Sequence, residues 1–511
     1  MLAIVQSGAL VGLDAVRITV EVDYNPRGMT GFTIVGLPDT AVQESRERVR
    51  SALKNSHMDF PMKRYLVNLA PAEMRKEGPA YDLPIAMGVL AATEQIPPEC
   101  LDGAIFIGEL SLNGSLRHVR GAMSFVYMAR ELGYATIYVP ECDAAEAALV
   151  DGIDVIPVTS LGQLIEHIFQ LNPILPYDRR QTPPAEADPD LARVVDYADV
   201  KGQEFVKRAM EIVAAGGHHA LLAGPPGSGK TLIARALPGI LPKLTVEESL
   251  EITRIYSVAD MLPANMGLTR RRPFRAPHHT ISEAGLIGGG SIPRPGELSM
   301  AHRGVLYLDE VLEMGHNLEV LRQPLEDKIV TISRMRGSVT FPANIILVAS
   351  LNPCPCGYRG DTMRACTCSE PQVRKYQARL SGPMLDRFDI QLDVPRVDFE
   401  KLTDARRGEE SAAIQARVEA ARERQYVRHR PFSGVLTNSD LGAGEVQQVC
   451  QLDGSARTLL EAAMRKLQLS ARAYHRVLKV SRTIADLSAS ETIRMEHVAE
   501  AVQYRSRTLF G

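Results

Sequence analysis

The apolar run Leu221-Leu222-Ala223 passes straight into Gly224-Pro225-Pro226-Gly227-Ser228-Gly229-Lys230-Thr231, an octamer that matches the phosphate-binding loop pattern at every fixed position. Such a loop constrains the fold because it works only as the turn from a buried strand into a helix. Glycines let backbone N–H groups curl around phosphate oxygens, and the following helix turns its positive end toward the same anion. In that setting Lys230 reaches the β- and γ-phosphates and Thr231 holds Mg²⁺. The bland alternative, a glycine-rich turn with a chance lysine, does not account for strand, loop and helix following in the required order. Downstream, Gly304-Val305-Leu306-Tyr307-Leu308 is continuously apolar, as a strand buried on both faces should be, and ends in Asp309-Glu310. Asp309 suits the metal shell, and Glu310, pointing the other way from the strand end, can serve as general base to the attacking water. A third run, 345–351, leads into Asn352, which either orients that water or is an ordinary loop-starting Asn before Pro353.

At 511 residues the chain should hold two or three domains. Its 45% hydrophobic and 23% charged content is that of an ordinary globular protein. No run approaches the about 20 apolar residues of a membrane span, and no secretory leader opens the chain, so a cytoplasmic location with no membrane partner is expected. A net charge of −3 excludes blanket coating of nucleic acid and confines any DNA contact to local basic patches. The seven cysteines disfavour a disulfide framework. Four of them, Cys354, Cys356, Cys366 and Cys368, form two C-x-C pairs nine residues apart, directly after Asn352. Four thiolates have the number and softness for tetrahedral Zn²⁺, although C-x-C is tighter than the usual spacer, so structural zinc and free thiols both stay open.

Residues 171–190 are rich in Pro and acidic side chains, lack periodicity and read as a linker. Before it, 1–170 alternate strands such as Arg17–Val22 with helices such as Val42–Lys54 and should fold alone. After it, 191–398 run strand, loop and helix in the manner of a parallel α/β sheet, and 399–511 change to helices at 401–428, 455–470, 473–488 and 495–506.

The two carboxylates, the phosphate loop, the Asn and the helical lid together resemble AAA+ ATPases, and the wording narrows this to the magnesium-chelatase-like branch and its ComM/YifB family. The phrases are ADVKGQ at 198–203, FRAPHHTISEAGLIGGG at 274–290, PRPGELSMAHRGVLYLDE at 293–310, SLNPCPCG at 350–357, RLSGPMLDRFDI at 379–390 and GFTIVGLPDTAVQESRERVR at 31–50. The resemblance implies an α/β chain in three parts: an N-terminal Lon-protease-like (ribosomal S5 domain 2-like) α+β domain, an AAA+ P-loop parallel-sheet ATPase domain and a C-terminal helical lid. It implies Walker A roles for Lys230 and Thr231, Walker B roles for Asp309 and Glu310, and sensor 1 for Asn352. Arg387 matches the arginine finger, which acts on a neighbouring subunit's nucleotide. Arg472 matches sensor 2, with a surface charge as its alternative. Where Lon-type peptidases carry their serine and lysine, this chain has Ala80 and Met123, so a Ser–Lys dyad is absent and a binding or assembly platform is implied instead.

Two insertions suit DNA. Arg270, Arg271, Arg272, Arg275 and the His278-His279 pair precede the turn at Gly288-Gly289-Gly290, where related AAA+ proteins insert a hairpin; Lys328–Pro342 read as two strands around Arg334-Met335-Arg336-Gly337. Cations on pore hairpins can hold phosphates without reading sequence, whereas solvated turn arginines are the bland reading. With no carboxylate nearby in sequence, the His pair reads as hairpin structure and not as a metal site. The resemblance implies a homohexameric ATP- and Mg²⁺-dependent helicase on single-stranded and branched DNA, driving branch migration in natural transformation beside a RecA-type recombinase. A magnesium-chelatase-type motor remodelling a protein partner is the rival, and the Lon-like domain counts against it.

Overall fold

A computed structural model describes residues 1–181, 195–263, 267–290, 293–334, 337–361, 363–397 and 407–505. The expectations for linker residues 182–190, for Arg336 and for the boundary at 398–399 lie outside the described residues. The chain forms two compact units, Met1–Glu186 with Val246–Thr269, and Ala187–Thr245 with Arg270–Gly511.

The first unit is built on a seven-stranded mixed sheet ordered Gly31–Val35, Arg64–Ala70, Asp14–Asn25, Leu2–Val11, Ala104–Phe106, Thr136–Pro140 and Asp154–Val158. Alternation sets the core: Ile18, Val20 and Val22 point inward from one strand and Val67 and Leu69 from its neighbour. The helix Asp82–Ala92, apolar all round, is buried along its whole length on this unit. Its one charge, Asp82, is met by Nε of Arg48 at 2.6 Å. Met123 lies in a buried apolar cluster against which Ala80 also packs. The helix Val246–Val258 belongs to this unit although its sequence interrupts the second. Nη2 of Arg254 meets Asp14 at 2.6 Å, and Glu146 accepts from Ser257 Oγ at 2.5 Å and from the Met123 N–H at 2.8 Å.

In the second unit five parallel strands follow the order Phe274–Arg275, Val305–Leu308, Ile346–Leu351, Ala220–Ala223 and Ile390–Asp393. Ala220–Ala223, Val305–Leu308 and Ile346–Leu351 are buried along their whole length and almost wholly apolar, whereas the edge strand Ile390–Asp393 alternates Ile390 and Leu392 with Gln391 and Asp393. The phosphate-loop strand sits inside the sheet, so the loops leaving three neighbouring strands converge at one edge. The helices Ser411–His429, Gly454–Leu467, Ala471–Leu487 and Met495–Gln503 share a continuous apolar cluster with the sheet, in which Leu222, Val305 and Val348 join Val418, Val477 and Ile484. Polar ties fix the register: Gln425 donates to the Ala215 carbonyl at 3.0 Å and Arg417 pairs with Glu211 at 2.6 Å. Among the described residues no helix is long and apolar enough to cross a membrane.

Candidate functional site

Ala223 ends its strand and the helix Lys230–Ala236 begins seven residues later, with Gly227 and Gly229 in the left-handed region at φ 77° and 89°, where a side chain would be strained. The side chain of Lys230 folds back over the loop and donates to the carbonyls of Gly224 at 2.6 Å and Pro225 at 3.0 Å, with Asn352 Oδ1 at 3.5 Å. Burial lowers the Lys230 ammonium below its ordinary range, against the pull of Asp309 and Glu310. Thr231 Oγ1 lies 3.3 Å from Asp309 Oδ2, a pair placed to share one Mg²⁺. The Ser228 hydroxyl is buried without a partner, as a group awaiting an anion would be.

The strand stops at Leu308, so Asp309 and Glu310 occupy a turn. Their divergence comes from this turn and not from the strand pleat: Glu310 has φ 49°, a conformation that costs a non-glycine residue about 1–3 kcal/mol. Asp309 faces Thr231 and accepts from the Ser350 hydroxyl, whereas Glu310 extends to within 3.5 Å of Nδ1 of His279.

A second grouping gathers the arginines. Nη2 of Arg387 pairs with Glu326 at 2.5 Å while its Nε has no partner, and burial together with the charges of Arg476, Arg472 and Arg322 lowers its pKa despite Glu326. Arg472 is exposed in the first turn of its helix. Two residues beyond Arg387, Asp389 accepts from His218 at 3.1 Å and lies 3.4 Å from Arg476. Burial alone raises the Asp389 carboxyl, but the His218 hydrogen bond and the Arg476 charge outweigh it and hold it far below the usual carboxylate range.

Three family models match the chain: "Magnesium chelatase, subunit ChlI" at residues 196–402, "Subunit ChlI of Mg-chelatase" at 20–143 and "Magnesium chelatase, subunit ChlI C-terminal" at 408–505. The protein YifB of Escherichia coli is 43% identical over 99% of this chain and 97% of its own length. Competence protein ComM of Haemophilus influenzae is 41% identical over 99% of this chain and 97% of its own. The chain belongs to the ComM/YifB family. It is therefore a magnesium-chelatase-like AAA+ protein. A more distant similarity, 26% identity over 39% of this chain and 21% of the other, is to DNA helicase MCM8 of Gallus gallus.

Within this ComM/YifB-family fold the structure adds residues that sequence reasoning passed over. Tyr307, one position inside the strand, sets its hydroxyl 3.2 Å from Thr231 Oγ1, and Ser350 bridges Asp309 and the Glu310 N–H, the latter at 3.3 Å. Both are ordinary strand residues, and only the register Leu308↔Ala349 reveals that Ser350 falls beside the turn at Asp309-Glu310. Gln203 donates to the carbonyls of Ser228 and Pro395, each at 2.8 Å, and so pins the phosphate loop. His279, expected to be hairpin structure without a carboxylate nearby, faces the carboxylate of Glu310 while its ring packs 4.1 Å from that of His278.

Both insertions contain paired strands, although Gly288-Gly289, expected as a turn, form one of them. Ile329–Arg334 and Gly337–Pro342 pair antiparallel, and Gly288–Gly289 pair with Arg294–Pro295. The two hairpins adjoin, since a methyl group placed on Gly289 would lie 3.5 Å from Nη2 of Arg334. Arg270, Arg271 and Arg334 are exposed. Arg272 is held differently from the free cation anticipated: its guanidinium donates to the carbonyls of Pro242 at 2.6 Å, Arg303 at 2.8 Å and Lys243 at 3.3 Å. Cys354, Cys356, Cys366 and Cys368 converge, with all four sulfurs within 4.8 Å of one another.

Proposed function

We propose that this chain is an ATP-hydrolysing AAA+ motor that assembles as a homohexamer on ATP and DNA and drives branch migration of recombination intermediates in natural transformation. Single-stranded and branched DNA are its substrates, the cytoplasm its location and a RecA-type recombinase its functional neighbour. The observation that carries this reading is the convergence of Lys230, Thr231, Asp309 and Asn352 at the edge of a parallel sheet. The adjoining basic hairpins and the similarity to competence protein ComM support the DNA half of it.

The mechanism follows from these side chains. Lys230 exchanges the loop carbonyls for phosphate oxygens, and loop N–H groups with the Ser228 hydroxyl complete the cradle. Thr231 and Asp309 would hold Mg²⁺, which would supply positive charge to the phosphoryl oxygens. Glu310 accepts a proton from the attacking water, which Asn352 orients. Arg387 from a neighbouring subunit leaves Glu326 to stabilise transition-state charge, and Arg472 closes the lid over the nucleotide. Hydrolysis then moves Arg334 and its hairpin along the DNA backbone, with Arg270 and Arg271 beside the path and Arg272 bracing it.

A second reading, a remodelling motor of magnesium-chelatase type acting on a protein partner, is favoured by the descriptions of the matching family models. The N-terminal unit does not separate the two readings, because the model matching 20–143 carries the chelatase description as well. One experiment does: displacement of a labelled strand from three-stranded branched DNA with ATP and Mg²⁺. The native chain should displace the strand, Lys230→Ala should neither bind ATP nor displace it, and Glu310→Gln should bind ATP but turn over about 10²–10⁴-fold more slowly. No DNA binding and no DNA-stimulated ATPase would move the remodelling motor to first place.

A further inference from the structure

We infer that Cys354, Cys356, Cys366 and Cys368 bind one Zn²⁺ and that this ion locks the loop after Asn352 against the phosphate loop. The zinc assignment stands on the thiols alone; the coupling rests on the nucleotide reading above.

The sulfur positions argue for a single tetrahedral ion. Cys354 Sγ lies 3.3 Å from Cys356 Sγ and 3.6 Å from Cys366 Sγ, and Cys356 and Cys366 are also 3.6 Å apart. A tetrahedron with Zn–S bonds of about 2.3 Å has sulfur–sulfur edges of about 3.8 Å, close to this spacing. A polynuclear iron–sulfur cluster sets its cysteine sulfurs wider apart than a single ion does, and no disulfide joins any of the four. The backbone N–H of Cys356 points at Cys368 Sγ, 3.4 Å away, in the manner of an amide that supports a metal-bound thiolate. The two C-x-C pairs therefore close on each other from opposite sides of the loop, which explains how so short a spacer can still supply four ligands. Each thiol gives up its proton to solvent as its sulfur takes a place on the ion, so binding is charge-balanced by proton release.

The knot sits where it can govern nucleotide binding. Asn352 precedes its first ligand by two residues, and Gly357 follows its second directly. Gly357 has φ 83° and its backbone lies so close to the phosphate loop that a Cβ there would come within 2.7 Å of Cδ and 2.8 Å of Cγ of Pro226. The knot thus carries, side by side, the residue that reaches toward Lys230 and the glycine that presses on Pro226, since a Cβ on Gly357 would also lie 4.0 Å from Asn352 Cγ. On the far side, Gln377 donates to the Pro353 carbonyl at 3.0 Å, tying the knot to the helix Glu370–Gln377. Apart from the ion, the loop is held by polar and cation–π contacts such as Arg396 with Asp361 and Arg364 over the Tyr358 ring, while its Met363 is exposed, so little buried apolar surface fixes either contact.

The test uses the full-length protein, purified without chelators and analysed by elemental mass spectrometry. About one zinc per chain is expected in native protein and in Gly357→Ala, with little in Cys366→Ser. Reloading metal-stripped protein with Co²⁺ should give the thiolate-to-cobalt charge-transfer and visible bands of a tetrahedral site, a readout that does not depend on the serine variant folding. Stripping the zinc, or introducing Gly357→Ala with zinc retained, should weaken MgATP binding about 5-fold or more. Iron in place of zinc, or no metal in protein grown with zinc, overturns the site. Zinc present while its removal leaves MgATP affinity unchanged overturns the coupling. Should native, zinc-loaded protein bind no MgATP, the nucleotide reading fails, and zinc content and the cobalt spectrum still decide the site.

Discussion

Tyr307 shows how much of the catalytic apparatus is carried by side chains that sequence motifs do not mark. Burial pushes its phenol up to about 12, despite its hydrogen bonds to Ser350 and Thr231, so at neutral pH it stays protonated and able to donate. The hydroxyl, 3.2 Å from Thr231 Oγ1, orients the group that faces Asp309. Tyr307→Phe deletes one oxygen and leaves the apolar ring in its buried place. A single hydrogen bond contributes about 0.5–1.5 kcal/mol net, so the variant should need roughly 2–10-fold more Mg²⁺ for half-maximal ATPase while binding DNA normally. An unchanged Mg²⁺ titration would remove Tyr307 from the metal side of the site.

The helix Val246–Val258 and its following residues make a different point, because their attachment to the first unit depends on titratable groups. His118 has Nδ1 at 2.5 Å from Asp143 and Nε2 at 3.1 Å from Asp260. The Asp143 hydrogen bond raises its pKa from 6.5 to about 9. A raised histidine contributes stability that is fully present below 6.5 and lost as pH climbs through about 9. Glu146, which holds Ser257, is raised by burial from 4.5 to about 7, so its contribution likewise belongs to its protonated form and fades as pH rises through 7. Both signs agree: hydrogen exchange of peptides from 246–263 should be better protected in native protein than in His118→Gln at pH 6, with the difference gone by about pH 10. Equal protection of the two proteins at pH 6 would show that the histidine does not hold this segment.

The helical C-terminal region is held by buried charge of another kind. Asp486 is fully buried between Arg428 at 2.5 Å and Arg482 at 3.1 Å and also accepts from Asn438 at 2.8 Å. Asp486→Asn strands the buried Arg482 and should cost about 3–5 kcal/mol, read as lost exchange protection across 471–487. Here too lies the boundary of what sequence could reveal. The phosphate loop, the three apolar strands and the helical C-terminal region were readable because each imposes its own period or its own fixed residues. An amphipathic stripe such as that of 246–258 shows that a helix must pack, but not against which unit. Likewise nothing local distinguishes Arg272, clamped on three carbonyls, from its exposed neighbours Arg270 and Arg271.

Assembly is the level at which the arginine grouping acquires a purpose. Within one chain Arg387 is tethered to Glu326 and its Nε has no partner, while burial and the charges of Arg476, Arg472 and Arg322 lower its pKa, although Arg476 has Asp389 and Arg322 has Glu319 beside it. On the proposed ring reading, a nucleotide on an adjacent subunit is the anion that Arg387 meets, and each active site would be a composite of Lys230 from one chain and Arg387 from the next. Complementation tests this directly. Lys230→Ala and Arg387→Ala should each be inactive alone, since one lacks the loop cation and the other the finger. Co-expressed in equal amounts and assembled at random in a ring, they should regain about a quarter of the intact interfaces, wherever an Arg387→Ala chain borrows the arginine of a Lys230→Ala neighbour. DNA-stimulated ATPase in the mixture therefore measures whether the site spans two subunits. A mixture as inactive as its parents would mean that Arg387 serves its own chain, and that the Glu326 pair is a structural contact and not a resting position.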